Sequence, residues 1–195
     1  GQVPGAAVLV LHDGQPVFRR GYGLAVVEDG TAVTPASNFR LASVSKQFTA
    51  AAIAIAAREG ALSLDDPVKK RISILPTYPP DPTIRQMVHH TSGLRDYLSL
   101  MTLKGLRNDD FYTDAQVRDV ISRQRELNFS PGAEYLYSNS GYFLLGQVIR
   151  EATGMSLREY AQEKIFGPLR MTHSHFHDDH NHIVRNRATG YAPEG

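Results

Sequence analysis

The first part of the chain carries short runs of β-prone residues that are separated by a turn signal. Residues 6–12, AAVLVLH, and residues 16–22, PVFRRGY, flank the dipeptide Asp13-Gly14. Aspartate and glycine tolerate the positive φ angles that tight hairpin turns require. The pattern therefore predicts an antiparallel β-hairpin that turns at Asp13-Gly14.

Helical spacing of apolar residues follows the predicted hairpin. Residues 41–60, LASVSKQFTAAAIAIAAREG, are apolar around most of a helical circumference, which predicts a buried helix from about 43 to 59 that stops at Gly60. The further capping signals are Asp66-Pro67, Thr83, Thr113 with Gln116, Ser140 and Ser156. Gly154 closes the helix that we expect to begin at Ser140. No repeat or linker interrupts this series, so we expect a single domain over residues 1–195.

The composition limits the classes of partner. The chain has 195 residues, of which 42% are hydrophobic, and this is ample for a buried core. With 21 basic and 20 acidic residues the formal charge is +1, which argues against nucleic acid and anionic lipid as partners. A small molecule or a short peptide is the expected partner. The absence of cysteine excludes disulfides, thiolate metal sites and thiol nucleophiles.

The cellular location is predicted from two features that the sequence lacks, a signal peptide and a membrane span. Its start, GQVPGAAVLVLHDG, has no basic segment followed by an apolar run of signal length, and no run approaches the span of a bilayer. We therefore expect no transmembrane segment. We expect a mature periplasmic or secreted protein, with a cytoplasmic location as the alternative.

Ser43 and Lys46 stand out at the beginning of the predicted helix. Residues three apart lie on one face of a helix, with about 5–6 Å between their Cβ atoms, so the two side chains are within reach of each other. The first-turn N–H groups of a helix favour a developing negative charge. These properties suit a nucleophilic serine. A serine cap followed by a solvated lysine is the structural alternative, and the Ser-x-x-Lys pattern alone does not decide between them.

Two further motifs extend this pattern. Tyr137-Ser138-Asn139 precedes an apolar helix, and His90 begins the sequence HTSGL. With these motifs the chain resembles the serine β-lactamase and penicillin-binding-protein superfamily, in its class C β-lactamase-like branch with D-aminopeptidases, D,D-carboxypeptidases and related esterases. The matching segments are VPGAAVLVLHDGQPVFRRGYGLA, FRLASVSKQFTA, LSLDDPV, TIRQMVHHTSGL, YSNSGYFLLG and IFGPLRMTHSHFH.

The resemblance implies both a fold and a set of roles. It implies an α+β fold of the β-lactamase/transpeptidase type, in which an antiparallel sheet packs against a helical region. Ser43 would be the acylated nucleophile, Lys46 its proton partner, Tyr137 the general base and Asn139 a residue that binds and orients the substrate. The implied activity is that of a serine hydrolase that forms an acyl-enzyme from an ester, a D-amino-acid amide or peptide, or a β-lactam. It needs no cofactor and no metal.

Electrostatics favours Tyr137 over Lys46 as the base. A lysine needs about 4 kcal/mol of destabilisation of its charged form to act as a base near neutrality, and a helix N-terminus supplies only about 0.3–1 kcal/mol. An ammonium about 4 Å from a phenol oxygen favours the phenolate by about 4 kcal/mol at an effective dielectric of about 20, before desolvation opposes it. Because two strongly coupled groups titrate together, the assignment of the base stays open at this stage.

The sequence departs from the family pattern in its third motif, Lys-Thr-Gly or His-x-Gly, which is expected on a strand beyond Tyr137. Its one match, His12-Asp13-Gly14, is better explained by hairpin-turn chemistry. We therefore expect a chain that is C-terminally truncated relative to the family, with an exposed sheet edge that favours self-association.

Other candidates have structural explanations. The stretch MTHSHFHDDHNH contains five histidines, and a His-rich metal-binding protein is one alternative function. His90 is expected to have a structural role at a helix end, and Tyr135 is expected to pack rather than act as a base. A non-hydrolytic, penicillin-recognising homologue is the other alternative, and acylation without deacylation would identify it.

Overall fold

A computed structural model describes residues 3–107 and 110–192 of the chain. The chain divides into two units, one made of Gly1–Val44 with His177–Gly195 and the other of Ser45–Phe176. All of the described β-strands lie in the first unit, and all of the described α-helices lie in the second.

The first unit contains the predicted hairpin. Strand β1, Ala6–His12, pairs antiparallel with β2, Gln15–Tyr22. The turn residues Asp13 and Gly14 have φ angles of 50° and 75°, which confirms the prediction for this dipeptide. Large apolar side chains on both faces of this hairpin are 40–62% exposed, and they are Val8, Leu9, Val10, Leu11, Val17 and Phe18.

A second pair of strands follows the hairpin. Strand β3, Leu24–Val26, pairs antiparallel with β4, Thr31–Ala32. The later stretch of the unit is joined to this region by backbone bonds, because Thr189 N donates to Ala25 O at 2.8 Å. The Tyr191 hydroxyl also accepts a bond from Val27 N at 2.8 Å. Residues far apart in the sequence therefore form one unit.

The second unit is built from helices around one apolar core. The α-helices are α1 Lys46–Arg58, α2 Ile84–Val88, α3 Tyr97–Leu103, α4 Asp114–Ser122, α5 Asn139–Thr153 and α6 Leu157–Ala161. Helices α1 and α5 pack together. The fully buried apolar residues of these two helices are Ala52, Ile53, Ala56, Leu144, Leu145, Val148 and Ile149. No helix in the described residues is long and apolar enough to cross a membrane.

Helix α1 begins later than the sequence predicts. Ala42 has a φ angle of 45°, in the left-handed region, and Ala42–Ser45 forms a 3-10 turn before the helix starts at Lys46. The prediction of a buried helix holds for one face of α1 and is wrong for the other. Thr49 and Ile53 are buried, whereas Ala54 is exposed. An alanine-rich helix can leave one face exposed because alanine costs little on either side.

Three of the predicted caps are confirmed. Thr83, Thr113 and Ser156 each accept a bond from the backbone N–H three residues later, and the side chain at that position bonds back to the cap. Gly154 ends α5 in the left-handed conformation, as predicted.

Two of the predicted caps are wrong. Ser138, not Ser140, is the N-cap of α5, because its backbone is extended and its side chain accepts a bond from Gly141 N. Ser140 lies inside the helix and donates from Oγ to Arg95 O at 2.6 Å. Asp66 does not cap the 3-10 turn at 68–70, whose N-cap is Pro67, and its carboxylate instead pairs with the Lys70 ammonium.

Gly93 allows a test of how closely its backbone packs against the backbone of Phe129 in the second unit. Its φ angle is +72°, and a Cβ placed there would lie 2.3 Å from the backbone oxygen of Phe129. Gly154, with φ +76° and open space around it, is the matched control. We expect Gly154→Ala to cost about 1–2 kcal/mol of unfolding free energy through backbone strain alone. Gly93→Ala is expected to cost roughly 1–3 kcal/mol more because the backbone must move.

Urea denaturation of the two variants measures this difference. Equal losses of unfolding free energy in Gly93→Ala and Gly154→Ala would contradict the close approach of the chain at Gly93.

Candidate active site

The Lys46 ammonium contacts the side chains of Asn139, Tyr137 and Tyr142. Lys46 is the first residue of α1, and its Nζ donates to Asn139 Oδ1 at 2.9 Å. The same nitrogen lies 4.7 Å from the ring centroid of Tyr137 and 5.5 Å from that of Tyr142. A cation at these distances from aromatic faces is stabilised by about 0.5–2 kcal/mol. We call Lys46, Tyr137, Asn139 and Tyr142 the lysine cluster.

Local chain geometry explains how the Tyr-Ser-Asn motif serves both as a helix cap and as part of this cluster. Ser138 is extended, with φ −135° and ψ 117°, and Asn139 is the first residue of α5. Tyr137 therefore precedes the helix, Ser138 caps it, and Asn139 reaches Lys46 from its first turn. The Tyr137 side chain is 40% exposed, so it is accessible to solvent.

Tyr142 belongs to the cluster although the sequence analysis did not identify it. It lies three residues after Asn139 on α5, and this spacing places the two side chains on one helix face. Its hydroxyl donates to Val88 O at 3.0 Å. Burial, together with the neighbouring phenols of Tyr137 and Tyr135, raises the pKa of Tyr142. Tyr142 thus presents a neutral ring to the ammonium.

His90 lies beside the cluster and at a helix end, as predicted, and it also makes contacts that the sequence does not indicate. Helix α2 already ends at Val88, and His90 follows with a φ angle of 59°. Its ring stacks on Tyr137, with centroids 4.4 Å apart and planes inclined by 28°. Its Nδ1 accepts a bond from Ser138 N at 3.1 Å. Burial first, and the Lys46 charge second, lower the pKa of His90.

Asp96 fixes the other side of the motif. It is the N-cap of α3, and its carboxylate accepts a bond from Leu98 N at 3.0 Å. The other oxygen of the same carboxylate accepts a short bond from Asn139 N. The sequence signal was present, since an aspartate precedes the helical stretch YLSLMTL, but it indicates a cap and not the contact with Asn139.

The segment 90–96 runs along the chain that leads to α5. Leu136 N donates to His90 O at 3.0 Å, Gly132 N to Thr91 O at 2.8 Å, and Asn128 N to Gly93 O at 2.8 Å. The backbone of the HTSGL motif therefore supports the approach to the Tyr-Ser-Asn motif.

Ser43 lies in the 3-10 turn Ala42–Ser45, three residues before Lys46, and is exposed to solvent. It belongs to the first unit, whereas Lys46, Tyr137 and Asn139 belong to the second. The structure thus brings together three of the four predicted site residues within one unit. The approach of Ser43 to them stays a prediction.

The histidine-rich stretch gives no metal centre among the residues described. In 3–107 and 110–192, no three His, Asp or Glu side chains are placed to hold a metal ion together. Asp179 instead accepts a bond from Asn181 N at 2.9 Å in a local turn. The described part of the chain therefore gives no support to a His-rich metal-binding protein.

Comparison with known families decides the class of protein. The model of the beta-lactamase family matches residues 1–195. The chain belongs to the beta-lactamase family. This confirms the resemblance carried by the Ser-x-x-Lys, HTSGL and Tyr-x-Asn motifs.

Curated relatives in this family are longer than the chain. A D-aminopeptidase of Gluconobacter oxydans is 36% identical over 168 residues, which cover 86% of this chain and 31% of that protein. A D-aminopeptidase of Brucella anthropi is 34% identical over 168 residues, with 86% and 32% covered. The chain thus spans about a third of the length of these curated relatives.

Solved structures confirm the α+β fold of the β-lactamase type. The octameric penicillin-binding protein homologue from Pyrococcus abyssi superposes with a TM-score of 0.81 at 32% identity, covering 98% of this chain and 44% of that one. The D-amino acid amidase from Ochrobactrum anthropi superposes with a TM-score of 0.78 at 26% identity, covering 97% and 53%.

Asp96→Ala tests how the first turn of α5 is held. The change removes the acceptor of both Leu98 N and Asn139 N, and loss of the N-cap costs about 0.5–2 kcal/mol of unfolding free energy. We also expect the Asn139 amide to exchange faster with solvent. Amide hydrogen exchange and urea denaturation measure the two effects.

Asp179→Ala is the control, because this carboxylate caps an exposed turn in the first unit. It is expected to leave Asn139 exchange unchanged. Native-like exchange of Asn139 in Asp96→Ala would show that the carboxylate does not hold this amide.

Proposed function

We propose that this chain carries the nucleophile and proton-transfer groups of a serine hydrolase that acts through an acyl-enzyme at Ser43. One observation carries the proposal: the Lys46 ammonium, three residues after Ser43, bonds to Asn139 and lies over the Tyr137 ring. Family membership and the D-aminopeptidase relatives support the same reaction class.

The reaction proceeds in two acyl transfers. Ser43 Oγ attacks the substrate carbonyl, and its proton passes to the Tyr137–Lys46 pair. The tetrahedral intermediate collapses to an ester at Ser43, while the pair returns the proton to the departing amine or alcohol. Water then attacks the ester and gives a proton to the same pair. The pair passes this proton to Ser43 Oγ as the acyl C–O bond breaks, which releases the acid and regenerates the Ser43 hydroxyl. The Ser43 N–H serves as one oxyanion donor.

Tyr137 serves as the base and Lys46 stays cationic. Lys46 Nζ lies 4.7 Å from the Tyr137 ring centroid. An ammonium that comes within about 4 Å of a phenolate oxygen stabilises it by about 4 kcal/mol at an effective dielectric of about 20, less the desolvation of both groups. Asn139 holds this ammonium from one side through a bond of 2.9 Å. Because the two groups are coupled, the proton belongs to the pair.

The substrate class that we propose is a D-amino-acid amide or a short peptide with a D-residue. Two D-aminopeptidases and a D-amino acid amidase are among the proteins to which the chain is similar. Esters and β-lactams are attacked by the same chemistry and are the alternative substrates. A penicillin-recognising protein that is acylated but does not turn over is the second candidate, supported by the similarity to a penicillin-binding protein homologue.

Covalent labelling tests the nucleophile. The full-length protein is incubated with a fluorophosphonate or a penicillin, digested and analysed by mass spectrometry. We expect the label on Ser43, and we expect Ser43→Ala to abolish it. Ser45→Ala, two residues away in the same turn, is the control and should keep the label. A label on any other residue would refute the assignment, and a stable penicillin adduct without turnover would favour the second candidate.

Tyr137→Phe tests the base. The change keeps the ring beside Lys46 and removes the hydroxyl, so we expect kcat/KM for a D-amino-acid amide to fall by about 100-fold or more. Tyr135→Phe is the matched control, since Tyr135 is 68% exposed and lies two residues earlier. It should stay close to the native rate. If both variants keep native turnover, Tyr137 is not the base.

A further inference from the structure

We propose that His90 is a positioning residue that holds Tyr137 in place beside Lys46, and that only its neutral imidazole does so. This inference rests on the proposed role of Tyr137 as the base. His90 acts through Tyr137 and does not itself touch the reacting atoms.

Contacts of His90 reach both chain neighbours of Tyr137. The backbone oxygen of His90 accepts a bond from Leu136 N at 3.0 Å. Its imidazole Nδ1 accepts a bond from Ser138 N at 3.1 Å. Because the residue before Tyr137 and the residue after it are both bonded to His90, the backbone of Tyr137 has little freedom to rotate.

The imidazole also holds the Tyr137 side chain directly. The two rings are stacked at 4.4 Å, and the other neighbour of the imidazole is the Tyr142 ring at 5.0 Å. Lys46 Nζ lies 4.7 Å from the Tyr137 ring centroid. A shift of the imidazole would therefore move the Tyr137 ring relative to the ammonium.

The left-handed backbone at His90 makes this double contact possible. Its φ angle of 59° places it among the uncommon conformations that Asn, Asp and His adopt more readily than other residues. The chain reverses direction here, directly after α2, so that carbonyl and side chain both bond to the 136–138 segment. The same conformation closes α2, because His90 N donates to Met87 O at 3.2 Å and Thr91 N donates to Gln86 O at 2.8 Å, the bonds of a helix end with a left-handed residue.

The bond from Ser138 N requires a lone pair on Nδ1. An imidazolium carries a hydrogen on that atom, so protonation removes the acceptor and places two N–H groups against each other. The groups that face the imidazole are the Lys46 ammonium and the phenols of Tyr135, Tyr137 and Tyr142. Burial and the Lys46 charge lower the pKa of His90, so the neutral ring is maintained at neutral pH.

The sign of the pH effect follows from this shift. A histidine with a lowered pKa is protonated more readily in the unfolded chain, so its contribution to stability is lost as pH falls below the ordinary value of about 6.5. The Tyr137 ring is no longer held beside Lys46 once His90 is protonated in the folded protein. Activity should therefore fall on the acid side together with His90 protonation.

Two substitutions at His90 test separately the hydrogen-bond acceptor for Ser138 N and the aromatic ring that stacks on Tyr137. His90→Asn offers an Oδ1 as the acceptor for Ser138 N and tolerates the left-handed backbone, but it has no titrating ring. His90→Phe keeps an aromatic ring for stacking and has no acceptor. His89→Asn, at the exposed neighbouring histidine, is the control.

Activity profiles of the full-length protein give the first readout. We expect His90→Asn to keep at least about a tenth of native kcat. It should lose the acid limb of the activity profile, which is the fall in activity at low pH that accompanies protonation of His90. His90→Phe should lose more than about tenfold in kcat at every pH, with KM changed little. His89→Asn should keep the native limb. An unchanged acid limb in His90→Asn would overturn the proposal.

NMR of the native protein gives a second readout that does not depend on activity. Imidazole nitrogen shifts should show a bare Nδ1 and a hydrogen on Nε2 at neutral pH. Between about pH 8 and pH 4, the Ser138 amide and the Tyr137 ring signals should shift together with the His90 titration. A hydrogen on Nδ1 at neutral pH, or a Ser138 amide that ignores the titration, would contradict the inference. If this result holds while no substrate is hydrolysed, the proposed function fails and the His90 contact stands.

Discussion

The positive charge of Lys46 is the constraint on which the site depends. Lys46 and Asn139 are the first residues of α1 and α5, and the bond between their side chains brings the N-termini of both helices to one place. Each helix end adds partial positive charge to that of the ammonium. The buried packing of α1 against α5 fixes this arrangement. We propose that this positive charge favours a phenolate at Tyr137, or an anion forming on a substrate, over a neutral group.

The 90–96 segment supports the lysine cluster from outside. His90 holds both neighbours of Tyr137, and Asp96 holds the Asn139 amide while it caps α3. The close approach at Gly93 lets this segment lie against the chain that leads into α5. The cluster thus depends on contacts between two motifs more than forty residues apart in sequence, and these contacts leave the Tyr137 ring accessible to solvent.

Local sequence signals predicted where turns and helix caps lie. Tertiary contacts determined which of two candidate residues forms a cap and which side chains meet in the site. The hairpin at Asp13-Gly14 and the capping box at Thr113 follow from local chemistry, so they are confirmed. Ser138 and Ser140 are two serines in one capping context, and only the contact of Ser140 with Arg95 shows which one lies inside the helix. His90 lies at a helix end as predicted, but nothing in the neighbouring sequence indicates that Ser138 N reaches its ring.

The most direct test of the account is the geometry around Ser43 in the full-length protein, measured by crystallography before and after acylation. We expect Ser43 Oγ, Lys46 Nζ and Tyr137 Oη to lie within about 3–4 Å of one another, the reach of hydrogen bonds in an unliganded site. A Tyr137 hydroxyl turned towards solvent at more than about twice that distance in both states would contradict it.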